Sequence, residues 1–244
     1  MTNEKFDKSK LVRALQREHM GKHSGNPEGI IDIINEVIRS EEACGNMKEM
    51  EEAGFSTEHI FKGINHIVKE FADIHKYSKG IKGKNILEIG CGAGADVSMR
   101  SFGGDGISPG HAITLSHLGG NVVGLDLQDS CNEHYKHIQV DLTKTPIKNV
   151  LPLDFTPDIV IARSFFDSPT LIRMLNMNDY IQVSEDICSQ VHELLPDKGI
   201  FFTRQGDIIH TRCKEEKLLE NLGFKHVGDV AEFILEAYKK EKIK

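Results

Sequence analysis

Apolar residues over the first eighty positions recur at spacings of three and four, the period of a helix face. Ile30, Ile31, Ile33, Ile34, Val37 and Ile38 form one stripe after "GNPEG", which places a proline near the first turn. A second helix is predicted from "STEHIF", with Ser56 or Thr57 as its cap and Ile60, Ile64, Ile67, Val68 and Phe71 as its stripe. From Asn85 the pattern changes to short apolar runs: "NILEIG", "NVVGLDL", "HIQV", "DIVIAR", "GIFFTR", "FKHVG" and "EFILEAY". Helix-length segments separate several of them, notably Ser168 to Leu195 and Thr211 to Leu222. This alternation predicts an α/β fold with a doubly wound, seven-stranded, mostly parallel sheet and an N-terminal helical extension. The expected division is 1–80 for the helical part and 81–244 for the sheet. The helical part either covers one face of the core or acts as a lid over a substrate.

The stretch Asn85 to Leu127 holds two glycine clusters where a single strand-to-helix turn needs one. The first, "LEIGCGAG", ends a buried strand. Gly90, Gly92 and Gly94 there allow a sharp turn and a close approach of ligand to the main chain. The next strand ends in Asp126, where a carboxylate can accept both hydroxyl hydrogens of a ribose. The third ends near Asp141 and Leu142, suited to an exocyclic amine and the face of a purine. The fourth delivers Arg163, Ser164, Phe165 and Phe166 to the same rim. "SPGHAITLSHLGG" supplies a helix of its own, with Ser108 at the cap, Pro109 in the first turn and Gly119 at the stop. The surplus is Ala95 to Ser108, whose "FGGDG" reads as an inserted loop.

Composition narrows the classes. At 244 residues, with 39% hydrophobic and 27% charged, the chain is that of an ordinary globular protein. A net charge of -7 argues against a broad basic face for nucleic acid, and no apolar run approaches the length of a membrane span. "MTNEKFDKSK" has no secretory apolar core, so a cytoplasmic location is expected. Five scattered cysteines without a C-x-x-C pair, and twelve dispersed histidines, indicate neither a disulfide framework nor a metal centre.

The order and spacing of these features from Asn85 to Tyr238 resemble the class I S-adenosylmethionine-dependent methyltransferases. The strongest element is the acidic-x-G-x-G-x-G motif formed by Glu88, Gly90, Gly92 and Gly94. The resemblance implies a Rossmann-like methyltransferase fold and S-adenosyl-L-methionine as cofactor. Glu88 and the glycine turn would serve the methionine moiety, Asp126 the ribose, and Asp141 with Leu142 the adenine. Arg163 is a further cofactor-binding candidate. A nicotinamide-dependent oxidoreductase is the competitor, but its glycines alternate as G-x-G-x-x-G and it requires neither Glu88 nor Asp141.

The implied function is transfer of a methyl group to a small-molecule acceptor. The alternatives are a non-catalytic interaction module of the same fold and a protein or RNA methyltransferase. A sulfonium methyl is already electrophilic, so alignment and exclusion of water come first, and a base is needed only for some acceptors. The catalytic candidates are Asp105 and His111 beside the inserted loop and Asp167 after the fourth strand; His210 after the fifth is a further one. His111 can equally be a solvent-facing first-turn residue, and Asp167 can equally cap the helix that follows. Arg163 and Arg204 can clamp an anion or pair with rim carboxylates.

Overall fold

The computed structural model describes residues 7–20, 27–43, 47–48, 52, 54–92, 110–129, 133–163, 165–166, 168–203, 218–230 and 235–241. Helices α1 (Lys8–Met20), α2 (Pro27–Ala43) and α3 (Thr57–Ser78) precede β1 (Asn85–Ile89). Then follow α4 (Gly110–His117), β2 (Asn121–Asp126), β3 (Lys136–Gln139) and β4 (Ile159–Ala162). The chain continues through α5 (Pro169–Met174), α6 (Met177–Leu194), β5 (Ile200–Thr203), α7 (Leu218–Asn221), β6 (Phe224–Val230) and β7 (Leu235–Lys240).

The strands form one seven-stranded sheet in the order β3-β2-β1-β4-β5-β7-β6. Pairing is parallel from β3 through β5 and antiparallel where β7 enters between β5 and β6. The expected doubly wound, mostly parallel sheet is therefore borne out. The order changes direction at β1 and β4, and at such a switch point the ends of the parallel strands open a crevice for ligands.

Both faces of the sheet are covered. On one, Ile86, Ile159, Ile161 and Phe202 share a core with Leu15, Ile34, Val37, Ile64, Val68 and Phe71 from the three N-terminal helices. Leu115 of α4 joins the same core. On the other, Leu87, Ile89, Val160, Ala162 and Phe201 pack with Ile187 and Val191 of α6 and Leu219 of α7. The helices of the first eighty residues are thus one of the two covering layers. Their 3.6-residue stripes have the sheet as partner, and burial of those stripes stabilises them more than helix propensity does.

Local signals set the boundaries. Ser56 caps α3, its side chain accepting from the His59 amide, and the helix ends where Lys79 turns left-handed at φ 58. Gly119, at φ +85, ends α4 as expected; Ser108 and Pro109 lie outside the described residues. The single long helix predicted over Ser168 to Leu195 is instead two. Asn176 adopts an extended conformation and its side chain accepts from the Asp179 amide, starting α6 afresh. Of the helix predicted over Thr211 to Leu222, Leu218–Asn221 lies within the described residues.

Candidate active site

The first glycine cluster forms a tight turn at the carboxyl end of β1. Gly90 and Gly92 both have positive φ, 72 and 80, a region that side-chain-bearing residues rarely occupy. The Gly90 amide donates to the Leu125 carbonyl at 2.8 Å, holding the turn against β2. A Cβ at Gly90 would come within 3.3 Å of the Phe165 Cβ, so the segment after β4 lies directly on the turn. Gly94 lies outside the described residues.

Asp126 closes the turn from the neighbouring strand. Its Oδ2 accepts from the Gly92 amide at 3.0 Å and its Oδ1 from the Gln128 amide at 2.9 Å. Each oxygen keeps a second lone pair, so the carboxylate can still accept from two hydroxyls. Asp141, one strand further, is partly committed. Its Oδ1 accepts from the Thr143 amide and hydroxyl, and its Oδ2 meets Lys144 Nζ at 2.6 Å. Burial opposes its charge, but Lys144 and Thr143 together hold its carboxyl below the ordinary value. Leu142 is buried in the core beside it.

Glu88 points from β1 into the layer of N-terminal helices and is 2% exposed. Its Oε1 lies 2.9 Å from Nδ1 of His111, and the other ring nitrogen lies 3.3 Å from Oε1 of Glu70 on α3. Arg163, just past β4, approaches the same Glu70 oxygen through Nε at 3.1 Å. Four ionisable groups from β1, α3, α4 and β4 therefore meet in one enclosure. The separations are those of ion pairs, but the His111 nitrogens and both Glu70 oxygens lack well-directed hydrogen bonds, and Glu88 Oε2 has no partner.

Charge balance explains how this enclosure is tolerated. Burial disfavours a charged His111, yet Glu88 and Glu70 outweigh it and push the imidazole up to about 9. Burial likewise opposes ionisation of Glu70, while Arg163 and His111 hold it below the ordinary carboxyl value. At neutral pH His111 is therefore a cation facing the Glu70 carboxylate. His111 also stacks on Phe71, with ring centroids 4.6 Å apart.

The solvent-facing alternative for His111 is thus overturned: the ring is buried because α4 is enclosed on most sides, from Gly110 to Leu115. A protonated imidazole between two carboxylates has no lone pair for an acceptor's proton. Asp105, Asp167 and His210 lie outside the described residues, as do Ser164, Arg204 and the Ala95 to Ser108 insertion. The cap of α5 is Ser168, whose side chain accepts from the Leu171 amide, with Pro169 in the first turn. Phe165 abuts the glycine turn, whereas Phe166, 1% exposed, belongs to the core, and its carbonyl accepts from the Tyr180 hydroxyl at 2.7 Å.

Glu70 was missing from the sequence-based candidates. It lies on the polar margin of an apolar stripe, Ile67, Val68 and Phe71, where a helical glutamate ordinarily faces water. Its single sequence signal is immediate contact with the buried edge of that stripe. Away from this site, His226, Asp229 and Glu236 on β6 and β7 present ligand atoms within 4.8 Å of one another. The first two are exposed, and Glu236 already accepts from the Tyr238 hydroxyl.

No protein-family model matches the chain, and neither does any curated protein. Solved structures similar to it include a TehB-like SAM-dependent methyltransferase from Corynebacterium glutamicum. That structure is 15% identical at a TM-score of 0.45, over 84% of this chain and 99% of that one. Magnesium protoporphyrin IX methyltransferase (ChlM) from Synechocystis PCC 6803, with bound SAM, is 13% identical at a TM-score of 0.44, covering 76% and 83%. A putative hemolysin from Lactococcus lactis is 13% identical at 0.42, covering 70% and 86%.

Proposed function

We propose that the chain is an S-adenosylmethionine-dependent methyltransferase acting on a small-molecule acceptor. The observation that carries this reading is the bond between the Gly92 amide and Asp126, which joins the glycine turn of β1 and the end of β2 into one cradle. The residues fit the cofactor. Gly90 and Gly92, both at positive φ, keep the turn free of side chains, Asp126 retains capacity for two ribose hydroxyls, and Glu88 Oε2 is a buried carboxylate oxygen lacking a donor. Asp141 and Leu142 continue the same rim for the adenine, Asp141 through the lone pair of Oδ2 that Lys144 leaves open.

When bound, the cofactor supplies an electrophilic methyl on a sulfonium. The protein's part is to orient that methyl against the acceptor and exclude water. His111 serves this as a structural cation between Glu88 and Glu70, and Asp105 and Asp167 are the proposed groups for removing an acceptor proton. The chain's charge of -7 favours a small acceptor over RNA, and no described helix is long and apolar enough to cross a membrane. We place the protein in the cytoplasm.

Calorimetry with S-adenosylmethionine and S-adenosylhomocysteine tests the cofactor class. Both should bind, and Asp126→Ala should weaken them by about 1 to 3 kcal/mol through loss of a charged hydrogen-bond partner. Binding of NADH in place of both would overturn the reading. Radiolabelled methyl transferred from the cofactor should appear in the small-molecule fraction of a cell extract; label confined to protein or RNA would reassign the acceptor.

A further inference from the structure

The cluster of Glu88, His111, Glu70 and Arg163 contains two incompletely used groups of opposite sign. Glu88 Oε2 is enclosed without a donor. Arg163 meets Glu70 through Nε, and among the described residues no second carboxylate pairs with it. Its side chain is 28% exposed while Glu70 is fully buried, so the guanidinium is anchored from within and open toward the rim. A guanidinium tethered at one end by a buried carboxylate is restricted in position, and its remaining N–H groups can still donate to a second carboxylate, which lowers the ordering cost of binding one.

Position singles out the ligand. Arg163 follows β4, the neighbour of β1, and lies two residues before Phe165, which rests on Gly90 of the glycine turn. The same turn is where the amino-acid part of the cofactor belongs, on the reading proposed above. An α-amino acid group is a zwitterion, and an incompletely satisfied carboxylate beside an incompletely satisfied guanidinium matches its two charges.

We infer that Arg163, set in place by Glu70, receives the α-carboxylate of the cofactor's amino-acid part, which makes helix α3 a component of the cofactor site. This inference rests on the S-adenosylmethionine reading. Glu70 acts as a positioning residue: it touches Arg163 and His111 and orients the first against the turn. Its buried carboxylate is the anchor, held below the ordinary carboxyl value by Arg163 and His111 against the effect of burial.

The test compares two ligands that share the adenosine and its sulfur. S-adenosylhomocysteine carries the amino-acid part, and 5′-methylthioadenosine does not. Calorimetry of the full chain should show Arg163→Ala and Glu70→Gln each weakening S-adenosylhomocysteine roughly tenfold or more, as for a lost charge-assisted bond. 5′-Methylthioadenosine should bind all variants within about twofold, which also reports that the fold is intact. The double variant should be no weaker than Arg163→Ala, since both changes remove one contact. Arg163→Lys should recover only part of the loss, keeping the charge without the fork. Equal weakening of both ligands, unchanged S-adenosylhomocysteine affinity in Glu70→Gln, or additive losses would overturn the assignment. A wild-type chain that binds neither ligand overturns the cofactor reading itself, and this one with it.

Discussion

The two faces of the sheet are built from the same kinds of strand residue and covered by helices of similar apolar character, yet they solve different problems. The face toward α6 and α7 is an apolar core in which Phe201, Val160, Leu87 and Tyr238 pack with Ile187 and Val191. The face toward the N-terminal helices is equally apolar at Ile86, Ile161 and Phe202 but encloses charge at the strand ends. Among the described residues, every buried glutamate and histidine belongs to this side: His19, Glu41, Glu70, Glu88 and His111. One face supplies stability by excluding water. The other accepts the desolvation of ions to fix side chains beside the glycine turn, and an arrangement of that kind is stable only while each charge has its counter-charge.

The largest expected contrast comes from removing the centre of each face. His111→Ala removes the buried cation that faces Glu88 and Glu70, and should destabilise by ~3 to 5 kcal/mol. Phe201→Ala opens a cavity and should cost a similar ~3 to 5 kcal/mol. Urea unfolding at neutral pH measures both, and a small loss in His111→Ala would mean that the charges are not enclosed.

pH then separates the two faces. His111 has its folded value raised from 6.5 to about 9 by Glu88 and Glu70 against the effect of burial. Its contribution is therefore fully present below about pH 6.5 and is lost as the pH rises through about 9. Unfolding curves taken between these limits should show falling stability in the wild type and in Phe201→Ala. The slope should be reduced in His111→Ala; an unchanged slope would place the titrating group elsewhere.

The smallest effect concerns the margin of the charged face. Ser56→Ala removes the side-chain acceptor for the His59 amide and should cost about 1 kcal/mol of stability. It should leave the cofactor affinity of the cradle unchanged, because α3 presents Glu70 four turns further along. A matching fall in cofactor affinity would mean that α3 enters the site through its whole length.

Much of the fold was legible because it depends on period and punctuation. The switch from helical stripes to short apolar runs near Asn85, the stop at Gly119 and the cap at Ser56 are local features, and each appears where the pattern placed it. The break between α5 and α6 was not legible as such. Asn176 is compatible with a helix interior on period alone, and the helix restarts there because its side chain binds the Asp179 amide. Phe166 shows the same limit: adjacent phenylalanines at a strand end look alike in sequence, and packing sends one to the glycine turn and the other into the core.

The cradle was readable because glycine spacing and a strand-terminal aspartate are themselves local. Its surroundings were not. Glu70, Glu88 and His111 are well separated along the chain, and nothing in their spacing says that α3 and α4 bring them together over β1. By itself the sequence determined the elements, the sheet type and the glycine turn, since these follow from backbone conformation and the periodicity of burial. Tertiary packing alone decided which charges share an enclosure and hence their ionisation: the ion pairs at Glu70 depend on distances of a few ångströms across three separate elements, to which one-dimensional spacing is blind.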